Sequence, residues 1–287
     1  MLINKHIDIP YQNLPEESQF GVLPLSAFKG EFSNLPHRHD YFQIIWFIKA
    51  KGRHMVDFEW YDVEDNMIFF LRPGQVHQVD CESSGYSIYF TEQFYFTNRQ
   101  DKETLFDFTT LFDTWKGYNP ITITSSNSNS LIGLIDLMIR EKENLDYHCF
   151  AILKHYLSAF LLLTEKEKMH RDANYMPSSA YDARVVQLRR LLEQHFRAEH
   201  QVIFYANSFS LTPKRLNEIT KDCTGRTVTE LLHDRITLEA KRQLSFSRKS
   251  IKEICYELGF EDPAYFSRFF KNNTALSPQE FRDMMFK

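Results

Sequence analysis

The sequence predicts a multidomain β + α chain. An N-terminal antiparallel barrel or sandwich with two trailing helices precedes an all-α C-terminal domain built on a repeat. Three observations predict it. From about residue 20 to residue 96, short runs rich in Phe, Tyr, Ile and Val alternate with turn candidates. After Ser125-Ser126-Asn127 the apolar residues switch to helical spacing. In the last eighty residues one helical pattern occurs twice, fifty residues apart.

With 287 residues the chain can bury two ordinary cores. The first twenty residues lack the basic, apolar, small-residue order of a secretion signal. The longest apolar runs, residues 44–48 and 159–163, fall far short of the ~18–20 residues that cross a bilayer. Cys81, Cys149, Cys223 and Cys255 form no Cys-x-x-Cys pair, which argues against a disulfide framework or a zinc finger. The expectation is a cytoplasmic protein with no membrane partner. The net charge of −4 divides unevenly: residues 1–179 carry −8 and residues 180–287 carry +4. Only the C-terminal part suits a polyanion.

The strand-like region is punctuated at Lys51-Gly52, Arg72-Pro73-Gly74 and Ser83-Ser84-Gly85, a spacing that fits a small antiparallel barrel. Leu131, Leu134, Ile135, Met138 and Ile139 then mark one face of a helix, and Ile152, Leu153, Tyr156, Leu157, Phe160 and Leu161 mark a second. These helices either cover the open side of the barrel or pair two copies of the chain as a homodimer. The predicted boundaries are an N-terminal domain over 1–172, a linker over 173–180 and a C-terminal domain over 181–287.

The repeat sits in that last domain. Thr212-Pro213-x-x-Leu216-x-x-Ile219 returns as Asp262-Pro263-x-x-Phe266-x-x-Phe269, and Thr224-Gly225 returns as Thr274-Ala275. A Thr or Asp N-cap followed by Pro at the first helical position starts each helix cleanly. A shorter apolar-periodic helix precedes each: Val202, Ile203, Tyr205 and Ala206 in one, Ile251, Ile254, Cys255 and Leu258 in the other, the latter ended by Gly259. Both pairs, over about 201–222 and 251–272, have the helix-turn-helix pattern. Between them Thr227-x-x-Glu230 opens a long helix with Leu232, Ile236, Ala240 and Leu244 on its apolar side.

The spacing also assigns faces. Leu216, Ile219, Phe266, Phe269 and Phe270 fall on the core side. Lys214, Arg215, Asn217, Glu218 and Lys221 face away in the first copy, with Thr212 at its cap; Ala264, Tyr265, Ser267, Arg268 and Lys271 do so in the second. Arg and Lys can donate to guanine edges or phosphates, Asn can hold adenine by two bonds, and Ala can touch a thymine methyl. Two copies held by one bridging helix suit successive major-groove segments, ~34 Å apart, of double-stranded DNA.

The run Ile251 to Lys271, followed by Leu276-Ser277-Pro278-Gln279-Glu280-Phe281-Arg282, resembles the signature of the AraC/XylS family of bacterial transcription regulators. The resemblance extends to Asp234-Arg235-Ile236 and Glu239-Ala240-Lys241-Arg242-Gln243-Leu244, and covers about residues 184–285. It implies an activator that contacts RNA polymerase. Arg282 is expected to be a phosphate contact. Two positions depart from the pattern. Ala275 stands where the family has glycine, which predicts an altered turn, and Cys255 stands in a slot usually filled by alanine.

The N-terminal half is similar to the cupin-like sensor barrel that such regulators often carry. His37 and His39 match the His-x-His of metal-binding cupins, and Pro73-Gly74-Gln75-Val76-His77 matches the later histidine element. The third ligand, a carboxylate in those cupins, is replaced here by Gln43, a neutral and poor ligand for divalent ions. Three readings follow: a metal-dependent cupin enzyme fused to a DNA-binding module, a small-molecule effector pocket, or neutral hydrogen-bonded histidines in a filled barrel that senses nothing; a regulator controlled by a protein partner is a further alternative. The pocket is the preferred expectation, with His37, His39, Gln43, Trp46 and His77 as effector contacts, Tyr41 nearby, and no metal, cofactor or catalytic residue.

Overall fold

The computed structural model describes residues 11–12, 19–28, 35–95, 111–112, 120–143, 146–171 and 183–285. The linker expected over 173–180 lies outside the described residues. The chain divides into two compact units, one spanning Pro10–Ala180 and the other Tyr181–Lys287.

In the first unit the described strands are β1 (Tyr11–Gln12), β2 (Phe20–Pro24), β3 (Arg38–His39), β4 (Phe42–Val56), β5 (Glu59–Val63), β6 (Met67–Leu71), β7 (His77–Phe90) and β8 (Ile121–Thr122). The main sheet has the order β2-β7-β4-β6-β8, with β5 paired to the far end of β4. All its pairings are antiparallel, and the sheet is open rather than closed into the expected barrel. The short helix α1 (Glu92–Tyr95) follows β7, and α2 (Ser125–Glu143) and α3 (Cys149–Arg171) follow β8.

The long strands β4 and β7 pair across a β-bulge. Their register shifts between Phe47 and Lys49, so Ile48 has no direct partner. Gly85 sits opposite the bulge with φ 151°, and a Cβ there would lie 1.9 Å from the Trp46 carbonyl oxygen. No other residue fits without moving the strand.

The sheet has two apolar faces. One buries Val22, Ile44, Trp46, Ile68, Phe70 and Ile88 beneath Leu131, Ile135 and Met138 of α2 and Leu153, Leu157 and Phe160 of α3. This is the covering role allowed for the two helices. The other face holds Ile45, Phe47, Val56, Val63, Phe69 and Leu71, and the histidines gather beside it.

The second unit is helical: α4 (Ala183–His195), α5 (Val202–Ser208), α6 (Pro213–Thr224), α7 (Val228–Phe246), α8 (Ile251–Glu257), α9 (Pro263–Thr274) and α10 (Pro278–Met285). Helix α7 is the spine, touching α6, α8, α9 and α10. It starts at the expected capping box, where Glu230 accepts from the Thr227 N–H at 2.7 Å. Two further boxes open α8 (Ser250 with Glu253) and α10 (Ser277 with Glu280).

A charged network fastens α4 to α7. Arg197 and Arg235 donate to Glu239 at 2.9 and 3.3 Å, and Arg235 also donates to Glu193 at 2.9 Å. The Arg235 guanidinium lies 3.9 Å above the Phe196 ring. Burial pushes the Glu239 carboxyl up, but Arg235, Arg242 and Arg197 overcome it and hold the group down at about 2.

Candidate nucleic-acid interface and sensor site

The two helix-turn-helix units are built alike. In the first, Ser210 takes φ 54° and the Leu211 N–H donates to the Ala206 carbonyl at 3.0 Å. In the second, Gly259 takes φ 79° and the Phe260 N–H donates to the Cys255 carbonyl at 3.0 Å. The second turn is one residue longer, with Glu261 as the extra residue, so α5 and α8 are offset by 49 and α6 and α9 by 50. A Cβ on Gly259 would meet the Arg197 carbonyl oxygen at 2.0 Å, which confines that turn to glycine.

Helices α6 and α9 start from side-chain caps. Thr212 accepts the Arg215 N–H, and Asp262 accepts the N–H groups of Ala264 and Tyr265. They end alike too. Gly225 and Ala275 both adopt the left-handed conformation, at φ 76° and 65°. The altered turn expected at Ala275 does not occur. The Thr274 hydroxyl ties the turn to the helix by accepting the Leu276 N–H while donating to the Phe270 carbonyl at 2.8 Å, as Thr224 does with Arg226 and Thr220, and alanine takes the glycine geometry.

Leu216, Ile219 and Thr220 of α6 and Phe266, Phe269 and Phe270 of α9 are buried. Lys214, Arg215 and Lys221, like Ala264, Tyr265, Arg268 and Lys271, are exposed. Four other expected DNA contacts are engaged elsewhere. Thr212 serves as the α6 cap. The Asn217 side-chain oxygen accepts the Val228 N–H at 2.9 Å and so caps α7, which engages the oxygen that a two-bond grip on adenine would use. The Ser267 hydroxyl donates to the Pro263 carbonyl at 2.8 Å.

Arg282 is also engaged within the protein. Its Nε donates to the Leu244 carbonyl at 3.2 Å and its Nη2 to the Lys249 carbonyl at 2.7 Å. It caps the C-terminus of α7 and ties down the segment leading to α8, so its first role is structural.

In the sensor unit four histidines meet. The backbones of His37 and His77 exchange two hydrogen bonds at 2.9 Å, and the Gly74 N–H donates to the His39 carbonyl at 2.7 Å. Gln75 secures the intervening turn, accepting from the Arg72 N–H and donating to Asp57. Ring centroids lie 4.1 Å apart for His37 and His77, and 5.2 Å apart for His39 and His77. The fourth member is His54, whose Nε2 lies 3.2 Å from His77 Nδ1.

Sequence reasoning missed His54 and misplaced Trp46, for one reason. Before the bulge, Gln43, Ile45 and Phe47 share a face, and Ile44 and Trp46 point into the helix-covered core, where Trp46 meets Phe160. The unpaired Ile48 reverses the alternation, so Val56 joins the face of Ile45 and Phe47, and His54 packs on Phe47 and Phe69. Trp46 therefore does not accompany the histidines. Gln43 lies on their side of the sheet and donates to Ser87 at 2.9 Å. Tyr41 stacks on His39 with centroids 4.1 Å apart.

Burial keeps these imidazoles neutral. It lowers His39 to about 4, opposed by the Tyr41 carbonyl and the neighbouring Gln43 amide, and lowers His54 to about 3. His37 and His77 are lowered for the same first reason. The tautomers follow from the partners. His37 Nδ1 faces the Leu35 carbonyl at 3.0 Å and His39 Nδ1 the Tyr41 carbonyl at 2.7 Å, so each must carry its proton on Nδ1 and leave Nε2 as a bare acceptor. His39 Nε2 meets the Gln43 amide; with the Gln43 Nε2 on Ser87 the two contacting atoms are both acceptors, and turning the amide over would let it donate to His39 and accept from Ser87. Whichever of His54 and His77 donates, their outer nitrogens, His54 Nδ1 and His77 Nε2, present one further donor and one further acceptor. Among the described residues, no group of three His, Cys, Asp or Glu is arranged to hold a metal ion.

An antiparallel sheet unit joined to two capped helix-turn-helix units on one spine defines a sensor-and-reader class of DNA-binding protein. Residues 205–284 match the family described as "Helix-turn-helix domain", and residues 30–141 match "AraC-like ligand binding domain". The HTH-type transcriptional activator RhaS of Enterobacter sp. (strain 638) is 24% identical over 273 residues, covering 91% of this chain and 89% of that protein. RhaS of Salmonella schwarzengrund (strain CVM19633) is 25% identical over 268 residues with the same coverage. Among solved structures, ToxT from Vibrio cholerae is 14% identical, covers 93% of this chain and 99% of its own, and gives a TM-score of 0.43. The two matched domains and the RhaS relatives support an AraC/XylS family regulator, and they indicate a DNA-binding transcription regulator with a ligand-binding domain rather than an enzyme. No helix among the described residues is long and apolar enough to cross a membrane.

Proposed function

We propose that the protein is a sequence-specific transcription activator, acting in the cytoplasm, whose affinity for its operator is set by a small-molecule effector. The observation that carries the DNA reading is the duplication of a capped, outward-facing helix on a single spine. Lys214, Arg215 and Lys221 would serve one major-groove segment, and Ala264, Tyr265, Arg268 and Lys271 the next. The activator direction is suggested by the RhaS relatives, which are named as activators. RNA polymerase as a partner and a homodimer belong to the same proposal. A gel-shift series tests it: Arg215→Ala and Arg268→Ala should each weaken specific binding by about 1–3 kcal/mol. Unchanged affinity in both variants would refute the assigned face.

The effector would lie against His37, His39, Gln43, His54 and His77. The His39–Gln43 contact offers acceptors to a donor, and the His54–His77 pair supplies one donor and one acceptor. A neutral polyhydroxylic compound meets both needs. A carboxylate would confront acceptors with no cation among these groups to offset its charge. Because all three tryptophans, Trp46, Trp60 and Trp115, lie in the first unit, urea unfolding followed by tryptophan fluorescence reports on that unit alone. Neutral polyols should raise its midpoint and His39→Ala should abolish the rise; stabilisation by carboxylates but not polyols would refute the ligand class.

A further inference from the structure

The readout helices α6 and α9 correspond residue for residue, from the Thr212 and Asp262 caps to the left-handed residues Gly225 and Ala275. At ~100° per residue, the position two after the first buried anchor lies opposite the core. That position is Glu218 in α6 and Arg268 in α9, flanked a turn earlier by Lys214 and Ala264 and nearly a turn later by Lys221 and Lys271. The centre of the outward face thus carries a carboxylate in one copy and a guanidinium in the other.

A carboxylate there is costly on a surface that meets phosphates, and it is not turned away. Glu218 is 45% exposed, and its Oε2 accepts from Arg215 Nη1 at 2.9 Å, which orients the group and offsets part of its charge. In the major groove a carboxylate can accept only from base amino groups. Guanine and thymine present acceptors at the corresponding edge, and adenine pairs its amino group with the N7 acceptor; cytosine presents its N4 amino group without an adjacent acceptor of its own. We propose that Glu218 reads cytosine in the segment bound by α6, while Arg268 reads guanine in the segment bound by α9. This rests on the DNA-reading proposal above. The operator then has two unlike segments, and one protein molecule binds it in a single orientation.

The test is selection of bound sequences from a random duplex pool by the full-length protein, its E218A and E218Q variants and R268A. Gel shifts on the selected duplex and on a scrambled one accompany it. Glu218 is exposed and its ion pair with Arg215 lies at the surface, so the variants keep the fold. E218A should erase a cytosine preference at one position of the first segment, a loss of roughly 5- to 150-fold in discrimination. It should leave the second segment's preferences and the scrambled-duplex affinity equal or higher. E218Q should move the same position toward adenine, and R268A should act only on the second segment. If E218A strengthens binding to every duplex alike with unchanged preferences, Glu218 is only a solvated face and the proposal falls. If the unsubstituted protein selects no sequence at all, the underlying DNA reading falls with it.

Discussion

Arg282→Ala separates a structural role from a DNA contact by measurement. The side chain makes two hydrogen bonds, to the Leu244 carbonyl at 3.2 Å and the Lys249 carbonyl at 2.7 Å. Leu244 lies in the last turn of α7, where backbone carbonyls have no partner within the helix. A hydrogen bond from a charged donor contributes about 1.5–3 kcal/mol when buried. Solvent reaches this guanidinium, so each bond is discounted by roughly half, leaving about 1–3 kcal/mol for the pair. For a unit of about 100 residues, each kcal/mol moves the melting temperature by roughly 4–8 °C. Helix loss in the C-terminal unit, followed by circular dichroism, should therefore move down by about 5–20 °C. The DNA prediction is the opposite of a phosphate contact's. Loss of one phosphate contact reduces the slope of log affinity against log salt by about 1; here the slope of the folded variant should stay unchanged. An unaltered melting temperature with a slope reduced by one would refute the capping role.

Three further outcomes follow from the same structure. Ala275→Gly should raise the stability of the C-terminal unit by about 1 kcal/mol, since alanine at φ 65° bears a cost that glycine does not; a loss of stability would show that the alanine methyl is needed. Gly85→Ala should destabilise the sensor unit by about 2–4 kcal/mol through its collision with the Trp46 carbonyl, read as a lower urea midpoint by tryptophan fluorescence; a neutral effect would refute the bulge geometry. The same midpoint should fall with pH. The folded sheet refuses protons that the unfolded chain binds near 6.5, so stability is full above that pH and is lost as pH falls toward 4. Between pH 7 and pH 5, His39 alone costs about 2 kcal/mol, and His54 about as much again. A flat profile over that range would mean that the imidazoles are not buried neutral.

Local chemistry was legible in the sequence. The Thr212 and Asp262 caps, the prolines at the first helical position and the Thr227–Glu230 box each depend on residues within four positions, and each stands as read. Partners supplied from a distance were not legible. Asn217 caps a helix that begins eleven residues later, and Arg282 holds carbonyls 38 and 33 residues upstream. A polar residue on an outward face looks the same in sequence whether it awaits DNA or already serves a neighbouring helix end. Ala275 shows a third limit: the Thr274 hydroxyl fixes the turn strongly enough to override an unfavourable residue.

The bulge explains the mixed reading of the sensor site. His37, His39 and His77 were found because short motifs place them, and the His37–His77 backbone pairing brings two of them together. Trp46 and His54 belong to a single strand, and even spacing between them implies a shared face. One unpaired residue, Ile48, breaks that parity and sends Trp46 under α3 and His54 to the histidines. The hint was Gly85 on the partner strand, where φ 151° and contact with the Trp46 carbonyl admit no side chain. His54 then changes the chemistry of the site. With three histidines, each Nδ1 could have faced a carbonyl and each Nε2 a metal, the arrangement of a metal centre. With His54 against His77 Nδ1, one donor and one acceptor remain beside the acceptors of His39 and Gln43. With one imidazole N–H among them, that set no longer presents lone pairs alone.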